Sequence, residues 1–323
     1  MNKSTRNLLI IFVLLAVIVY FFFTRKDTIN TQKVTEKLFV ADSSKIDKIE
    51  IKKTGETIVL EKINGQWMLT QPVNYAADTN AVTPILANLA HFKISSIASE
   101  NPEKFGIYLD SANHPVVTAY QEGKLLGTFE VGKQAASYQN SYLKKPDENK
   151  IYIAENLSNA NFLKAMKDFR SKLIFSIPST SITRIDFKST DSNKTDFSCV
   201  KDSTDRWFIG TDSIAKNTME GFLNLLNNYT TDDFLDSTIT SFPSPTYTIN
   251  IQGAQPTTIN LYKQTNVTPP VYIVQVSNKT QLFKFSEAFA GNSLKKRTDF
   301  IPAKTPEKTP EKKTDTKDTK KKK

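Results

Sequence analysis

Residues 63–72 read "INGQWMLTQP" and residues 203–212 read "STDRWFIGTD". These segments hold the only two tryptophans of the chain, Trp67 and Trp207. Outward from them the same order of features occurs twice. "KIDKIEIKK" at 45–53 and "SITRIDFKS" at 181–189 alternate apolar and polar residues, the period of a half-buried strand. After each tryptophan comes an apolar stripe at helical spacing: Val82, Ile85, Leu86 and Leu89 in the first case, Met219, Phe222, Leu223 and Leu226 in the second. Asp78 is placed to cap the first helix, and Asp212 or Ser213 the second.

The next stretch repeats at a constant offset. Pro115, Thr118, Gly123, Thr128, Lys133, Gln134 and Tyr142 correspond to Pro245, Thr248, Gly253, Thr258, Lys263, Gln264 and Tyr272. Gly123 and Gly253 are expected where two strands turn. "KIYIAENLSNANFLKAMKDF" at 150–169 then faces "QLFKFSEAFAGNSLKKRTDF" at 281–300, each read as a strand followed by a helix. The pattern implies a tandem duplication, each unit made of three short strands, a helix, four strands and a helix. Short turns between consecutive strands favour antiparallel pairing, so the expected class is α+β. The repeats span 45–175 and 176–302, and Trp67 and Trp207 are expected to be core anchors between sheet and helix.

The net charge of +10 suggests nucleic acid until the charge is located. Residues 1–26 carry +4, and residues 303–323 carry nine lysines against four acids, or +5. About +1 is left for residues 27–302. A nucleic-acid-binding domain concentrates Lys and Arg on its folded surface, so that class is excluded. The tail 303–323, "AKTPEKTPEKKTDTKDTKKKK", has no large apolar residue and is expected to be disordered. It reads as a solubilising terminus or as a basic arm for anionic headgroups or wall polymers.

Residues 8–23, "LLIIFVLLAVIVYFFF", are apolar without a break. As a helix they span roughly 24 Å, slightly short of a ~30 Å hydrocarbon core. Arg6, Arg25 and Lys26 can snorkel at the ends. A cleaved signal peptide needs a small-residue site after its apolar region, and Phe23 runs straight into Thr24-Arg25-Lys26. Residues 1–26 therefore read as a cytoplasmic tip and uncleaved signal anchor. Residues 27–44 read as a linker, with the remainder outside the cytoplasm.

No sequence of residues points to catalysis or to a cofactor. Cys199 is the single cysteine, so no intramolecular disulfide or cysteine metal site is available. His91 and His114 are the only histidines, and their spacing does not fit metal ligation. Asp232, Asp233 and Asp236 in "TTDDFLDST" lack the glycine and distal glutamate of a calcium loop and read as solvated loop acids. There is no Gly-x-Ser-x-Gly elbow and no glycine-rich phosphate loop. Arg170 in "DFRSK" is a candidate partner contact, with the alternative that it meets the carbonyls of a helix end.

"GQWMLTQPVNYAADTNAVTPILANLAHF", "FGIYLD", "YLKKPDENKIYIAE" and "DFRSKLIF", together with the amino-terminal run, resemble the bacterial family called domain of unknown function 4340. The resemblance covers residues 1–175. The second copy lacks the Pro72 and Ala77-Asp78 elements and has Ile301 where the first has Arg170. The resemblance implies an envelope protein anchored in the bacterial inner membrane, with its ectodomain on the periplasmic side. It further implies an auxiliary role beside ABC-transporter subunits of the gliding-motility type, and supplies no catalytic residues. The expected function is a non-enzymatic brace or binder of a membrane partner. The alternatives are an ectodomain that hands a lipid or glycan to a transporter, and an envelope hydrolase.

The anchor predicts that the full chain stays with the membrane fraction through an alkaline carbonate wash. Recovery of a soluble form beginning near residue 25 would overturn it.

Overall fold

The computed structural model describes residues 11–20, 33–110, 112–191, 195–237, 239 and 241–302. The expected tail 303–323 and most of the expected 1–26 segment lie outside these. Residues 11–20 are helical and exposed throughout. Among the described residues no helix is long and apolar enough to cross a membrane. The ends of the 8–23 run lie outside the described residues.

The chain divides into two compact units after Ser171. The first holds ten strands: β1 (Lys33–Glu36), β2 (Ile46–Lys53), β3 (Glu56–Ile63), β4 (Gln66–Gln71), β5 (Tyr75–Ala76), β6 (Lys93–Ser99), β7 (Val116–Gln121), β8 (Lys124–Gln134), β9 (Ser141–Lys144) and β10 (Ile151–Glu155). They form one sheet in the order β1-β6-β10-β9-β8-β7-β2-β3-β4-β5. Every pairing within it is antiparallel. Alternation sends Ile49 and Ile51 of β2, Ile58 and Leu60 of β3, and Val117 and Ala119 of β7 into the core. Each fully buried isoleucine or leucine contributes roughly 1.5–3 kcal/mol. The long helix Thr79–His91 lies against these residues through Val82, Ile85 and Leu89, with Leu86 only partly buried. Asp78 is its N-cap as expected, its carboxylate accepting from the Asn80 amide at 2.8 Å.

In the second unit β11 (Leu173–Phe175) and β16 (Tyr229–Thr230) pair as a two-stranded sheet. That pairing places the division four residues before the expected 175/176 boundary, because residues 173–175 hydrogen-bond to 229–230. The main sheet has nine strands: β12 (Ile182–Ser189), β13 (Phe197–Lys201), β14 (Trp207–Ile209), β15 (Asp212–Ser213), β17 (Asp233–Leu235), β18 (Tyr247–Gly253), β19 (Thr257–Gln264), β20 (Val271–Val276) and β21 (Leu282–Ser286). Their order is β15-β14-β13-β12-β18-β19-β20-β21-β17. Read from the β5 edge, the first sheet runs in the same order and ends with one additional strand, β1. The second long helix, Lys216–Asn227, buries Met219, Phe222, Leu223 and Leu226, the whole expected stripe.

Several expectations are corrected. Within the expected repeat bounds four strands, not three, precede each long helix, since the short β5 and β15 were not expected, and β1 and β11 lie before them. Within their units five strands follow the first helix and six the second, where four were expected. The terminal helices are only four-residue pieces, Ala160–Leu163 and Arg297–Phe300, with short helical turns beside them. Asp212 and Ser213 do not cap the second helix: they form β15, and Ala215 is the N-cap with no side-chain hydrogen bond. Residues 33–36 of the expected linker form β1, antiparallel to β6, and Leu38, Phe39 and Ala41 pack on the core.

The constant offset of 130 is also only partly kept by the strand pairing. Ile51 pairs with Val117, and Phe187, at the matching position of β12, pairs with Ile249. That sets β18 two residues further along than the identities suggest. A shift of two keeps every side chain on its own face. Gly123 sits in the β7–β8 turn at φ 74, whereas Gly253 is at the end of β18. A Cβ at Gly253 would meet the Ser181 carbonyl oxygen, so close backbone approach explains this glycine.

The tryptophans separate too. Trp207 is 6% exposed, while Trp67 is half-buried at the margin of the core. Trp207→Ala should cost roughly 3–5 kcal/mol. Trp67→Ala should cost clearly less. Urea unfolding followed by far-UV circular dichroism checks this, and equal losses would refute the difference in burial.

Candidate functional site

The second unit carries a cleft of about 880 Å³. Its floor is apolar: Trp207 from β14, Ile214, and Met219 and Leu223 from the long helix. Its rim carries Lys201, Arg206 and Lys216 against Asp205 and Glu220. The turn 202–206 is organised by Asp202. One oxygen of that carboxylate accepts from the Thr204 amide and hydroxyl, both at 2.8 Å, and from the Arg206 amide at 2.9 Å. The Arg206 guanidinium meets the other oxygen at 3.1–3.2 Å. These bonds, the Arg206 amide first, hold the Asp202 carboxyl down at about 2. Arg206 is thereby fixed at the rim.

The other rim charges are engaged as well. Lys201 Nζ lies 3.3 Å from Asp205, and Lys216 lies 3.7 Å from Glu220. The helix Lys216–Asn227 starts in the cleft without a side-chain cap, so its first amides carry partial positive charge into it. No histidine or cysteine lines the cleft. Chemically it offers an apolar floor, a guanidinium held at the rim and a helix start, which suits contact with a partner or ligand.

The residues singled out from the sequence are dispersed. Arg170 is 1% exposed, its guanidinium carbon 4.7 Å from the Tyr75 ring centroid. It follows the short helix Met166–Phe169, and its backbone bridges Ala77. It is therefore a buried part of the first unit and not an exposed partner contact. Burial pushes the Tyr75 hydroxyl up, and the Arg170 charge pulls it partly back. Asp232 is not a solvated loop acid: it accepts from the Ser286 amide at 3.1 Å and hydroxyl at 2.7 Å, fastening β17's start to β21. Asp233 lies in β17 and Asp236 is exposed just after it.

His91 is exposed at the end of its helix, and His114 spans two acceptors. The His114 Nδ1 is 2.8 Å from the Asp110 carbonyl oxygen and Nε2 is 3.2 Å from Glu130. Tyr229 is buried and bonded to the Ser293 hydroxyl at 2.8 Å, and burial raises its pKa. Among the described residues no group of three His, Cys, Asp or Glu side chains is placed to hold a metal ion. The cleft itself was missed from the sequence because its lining comes from positions as far apart as Ser179 and Leu223.

A model of the family "domain of unknown function (DUF4340)" matches residues 67–250. The chain belongs to the DUF4340 family. The match begins at Trp67, crosses the division at Ser171 and ends in β18, so it takes in parts of both units, whereas the motifs read from the sequence covered 1–175. No curated protein and no solved structure matches the chain.

Cys199 is fully buried in β13, and burial, with Asp186 nearby, pushes its thiol up to about 12. At pH 8 an ordinary exposed cysteine is partly thiolate, and this one is almost wholly protonated. A thiol reagent at pH 8 should label native protein about 10³-fold more slowly than protein in urea. Equal rates would place Cys199 at the surface.

Proposed function

We propose that this member of the DUF4340 family is a non-enzymatic, single-pass envelope protein whose ectodomain braces or binds a membrane-embedded partner close to the bilayer. The observation that carries the reading is strand β1. It begins at Lys33 and is hydrogen-bonded into the first unit's sheet beside β6. Nine residues, 24–32, separate it from the apolar run. Nine residues reach at most about 30 Å. If the run 8–23 is the anchor, the first unit is held at the membrane surface, where a tether raises the effective concentration toward a partner in the same bilayer.

The shared strand order of the two sheets supports a tandem duplication, which supplies two related scaffolds. The difference between their helix starts, Asp78-capped in one and uncapped in the other, supports divergence of the surfaces. On this reading the ectodomain lies on the periplasmic side of a bacterial inner membrane. An ABC-transporter assembly is the partner suggested by the family resemblance. A second reading, a ligand-handling ectodomain, is favoured by the 880 Å³ cleft, whose size lies within the range of small-molecule sites. A hydrolase ranks below both.

The test is crosslinking in membranes. A photo-crosslinking residue at exposed Ile107 or Leu125 of the full chain should capture an integral membrane protein. A 20-residue Gly/Ser insertion after residue 28 adds about 25 Å of mean reach. It should cut capture several-fold if proximity is the point. Capture unchanged by the insertion would overturn the bracing role, and capture of soluble proteins alone would overturn the membrane partner.

A further inference from the structure

A second concave surface lies on the first unit, a cleft of about 750 Å³. The end of the helix Thr79–His91 contributes Asn88 and His91, the β8–β9 loop contributes Tyr138 and Gln139, and the segment after β10 contributes Asn156 and Ser158. Tyr138 is 85% exposed on a loop closed by two backbone hydrogen bonds. The Ala135 amide donates to the Asn140 carbonyl at 2.9 Å, and the Asn140 amide to Ser137 at 3.0 Å. The Asn88 side chain is locked from both ends. Its Nδ2 donates to the Asn156 carbonyl at 2.8 Å, and its Oδ1 accepts from Asn161 Nδ2 at 2.7 Å. Among the described residues no side-chain hydrogen bond engages His91, Gln139 or Ser158; His91 and Gln139 are exposed and Ser158 is half-buried.

We propose that this cleft binds a neutral oligosaccharide, stacked on Tyr138 and hydrogen-bonded by Gln139, His91 and Ser158. A rigid, amphipathic ring beside uncharged donors and acceptors suits a polyhydroxylated ligand with apolar C–H faces. Competing ligand classes fit less well. An anion would find one lining cation, Lys93, already 3.1 Å from Glu155. A peptide adding as a strand would need a sheet edge, and β6 beneath the cleft is flanked by β1 and β10. A lipid tail would find only Ala87 and the Tyr138 ring as apolar lining. The inference is independent of the bracing role: it is read in solution with sugars, whereas that role is read in membranes by crosslinking.

The experiment uses the full chain in a sugar-free detergent, titrated with tetrasaccharides of glucose, mannose and N-acetylglucosamine. Saturation-transfer NMR reads which sugar protons touch the protein. At least one tetrasaccharide should bind, with Tyr138→Ala weakening it roughly three- to tenfold and Tyr138→Phe retaining it within about twofold. Gln139→Ala should weaken it several-fold. The thermal midpoint should be unchanged in Tyr138→Ala, because the ring is exposed. The proposal is overturned if no tetrasaccharide binds at millimolar concentration, or if Tyr138→Ala binds as well as the parent chain.

Discussion

A sheet of nine or ten strands is far wider than one helix is long, and both units are built around that mismatch. Ten strands at about 4.8 Å spacing extend over roughly 45 Å. A 13-residue helix covers about 20 Å. The apolar face left over has to be filled by large side chains of the strands themselves and of the short segments beside them. In the first unit aromatic rings do this: Phe92 lies 5.3 Å from Phe129, Phe129 lies 6.3 Å from Phe162, and Phe39 packs edge-on to Phe92 at 5.4 Å. In the second, Phe187 stacks on Phe197 at 4.5 Å, and Phe300 meets Phe187, Phe197 and Phe222 at 5.7–5.8 Å. A large, flat side chain covers more area per residue than an aliphatic one. The requirement accounts for much of the phenylalanine content of residues 33–302, which hold 17 of the chain's 21 phenylalanines.

The same constraint explains which features could be read from the sequence. Strand alternation and helical stripes follow from one face being wet and the other dry, so β2, β12 and both long helices were legible from their periods. The second helix buries all four stripe residues. In the first, Leu86 is left at the margin, and no periodicity distinguishes an edge position from a central one. Caps depend on competition. Asp78 is available to its helix, whereas Asp212 is drawn into β15 and pairs with Arg297. Register was the least visible feature. A slip of two residues leaves every inward position inward, so it is silent in hydropathy and shows only in the partners of Val117 and Ile249.

Charge and burial of single residues were legible only in part, for a related reason. Arg170 reads from the sequence as a candidate partner contact or a helix-end arginine, and arginine is rarely buried whole. It is enclosed where the segment Phe169–Ser171 runs beside β5, with the Asp78 amide donating to Phe169 and the Ser171 amide to Ala76, each at 2.8 Å. Such long-range closure leaves no local trace in sequence. The candidate clefts are hidden in the same way. Asn88, Tyr138 and Ser158 meet only because β8, β9 and β10 are adjacent in the sheet and the helix end lies beside them.

Charge placement supports a tether-governed position for the folded part. The two chain ends hold +4 and +5, and the 276 residues between them about +1. Electrostatic forces between exposed charges fade over about 8 Å at physiological salt. A nearly neutral folded region is neither drawn strongly onto an anionic headgroup surface nor driven from it. On the proposed anchoring, its distance from the bilayer would be set by covalent reach, and β1 would shorten that reach by taking residues 33–36 into the sheet. Were those residues free, the chain from 24 to β2 would add over a dozen residues of slack. Fastening β1 beside β6 therefore serves two ends at once. It replaces the seven-residue β6 at the sheet edge with a four-residue strand, a shorter template for unwanted pairing, and it shortens the stretch of chain that precedes the sheet.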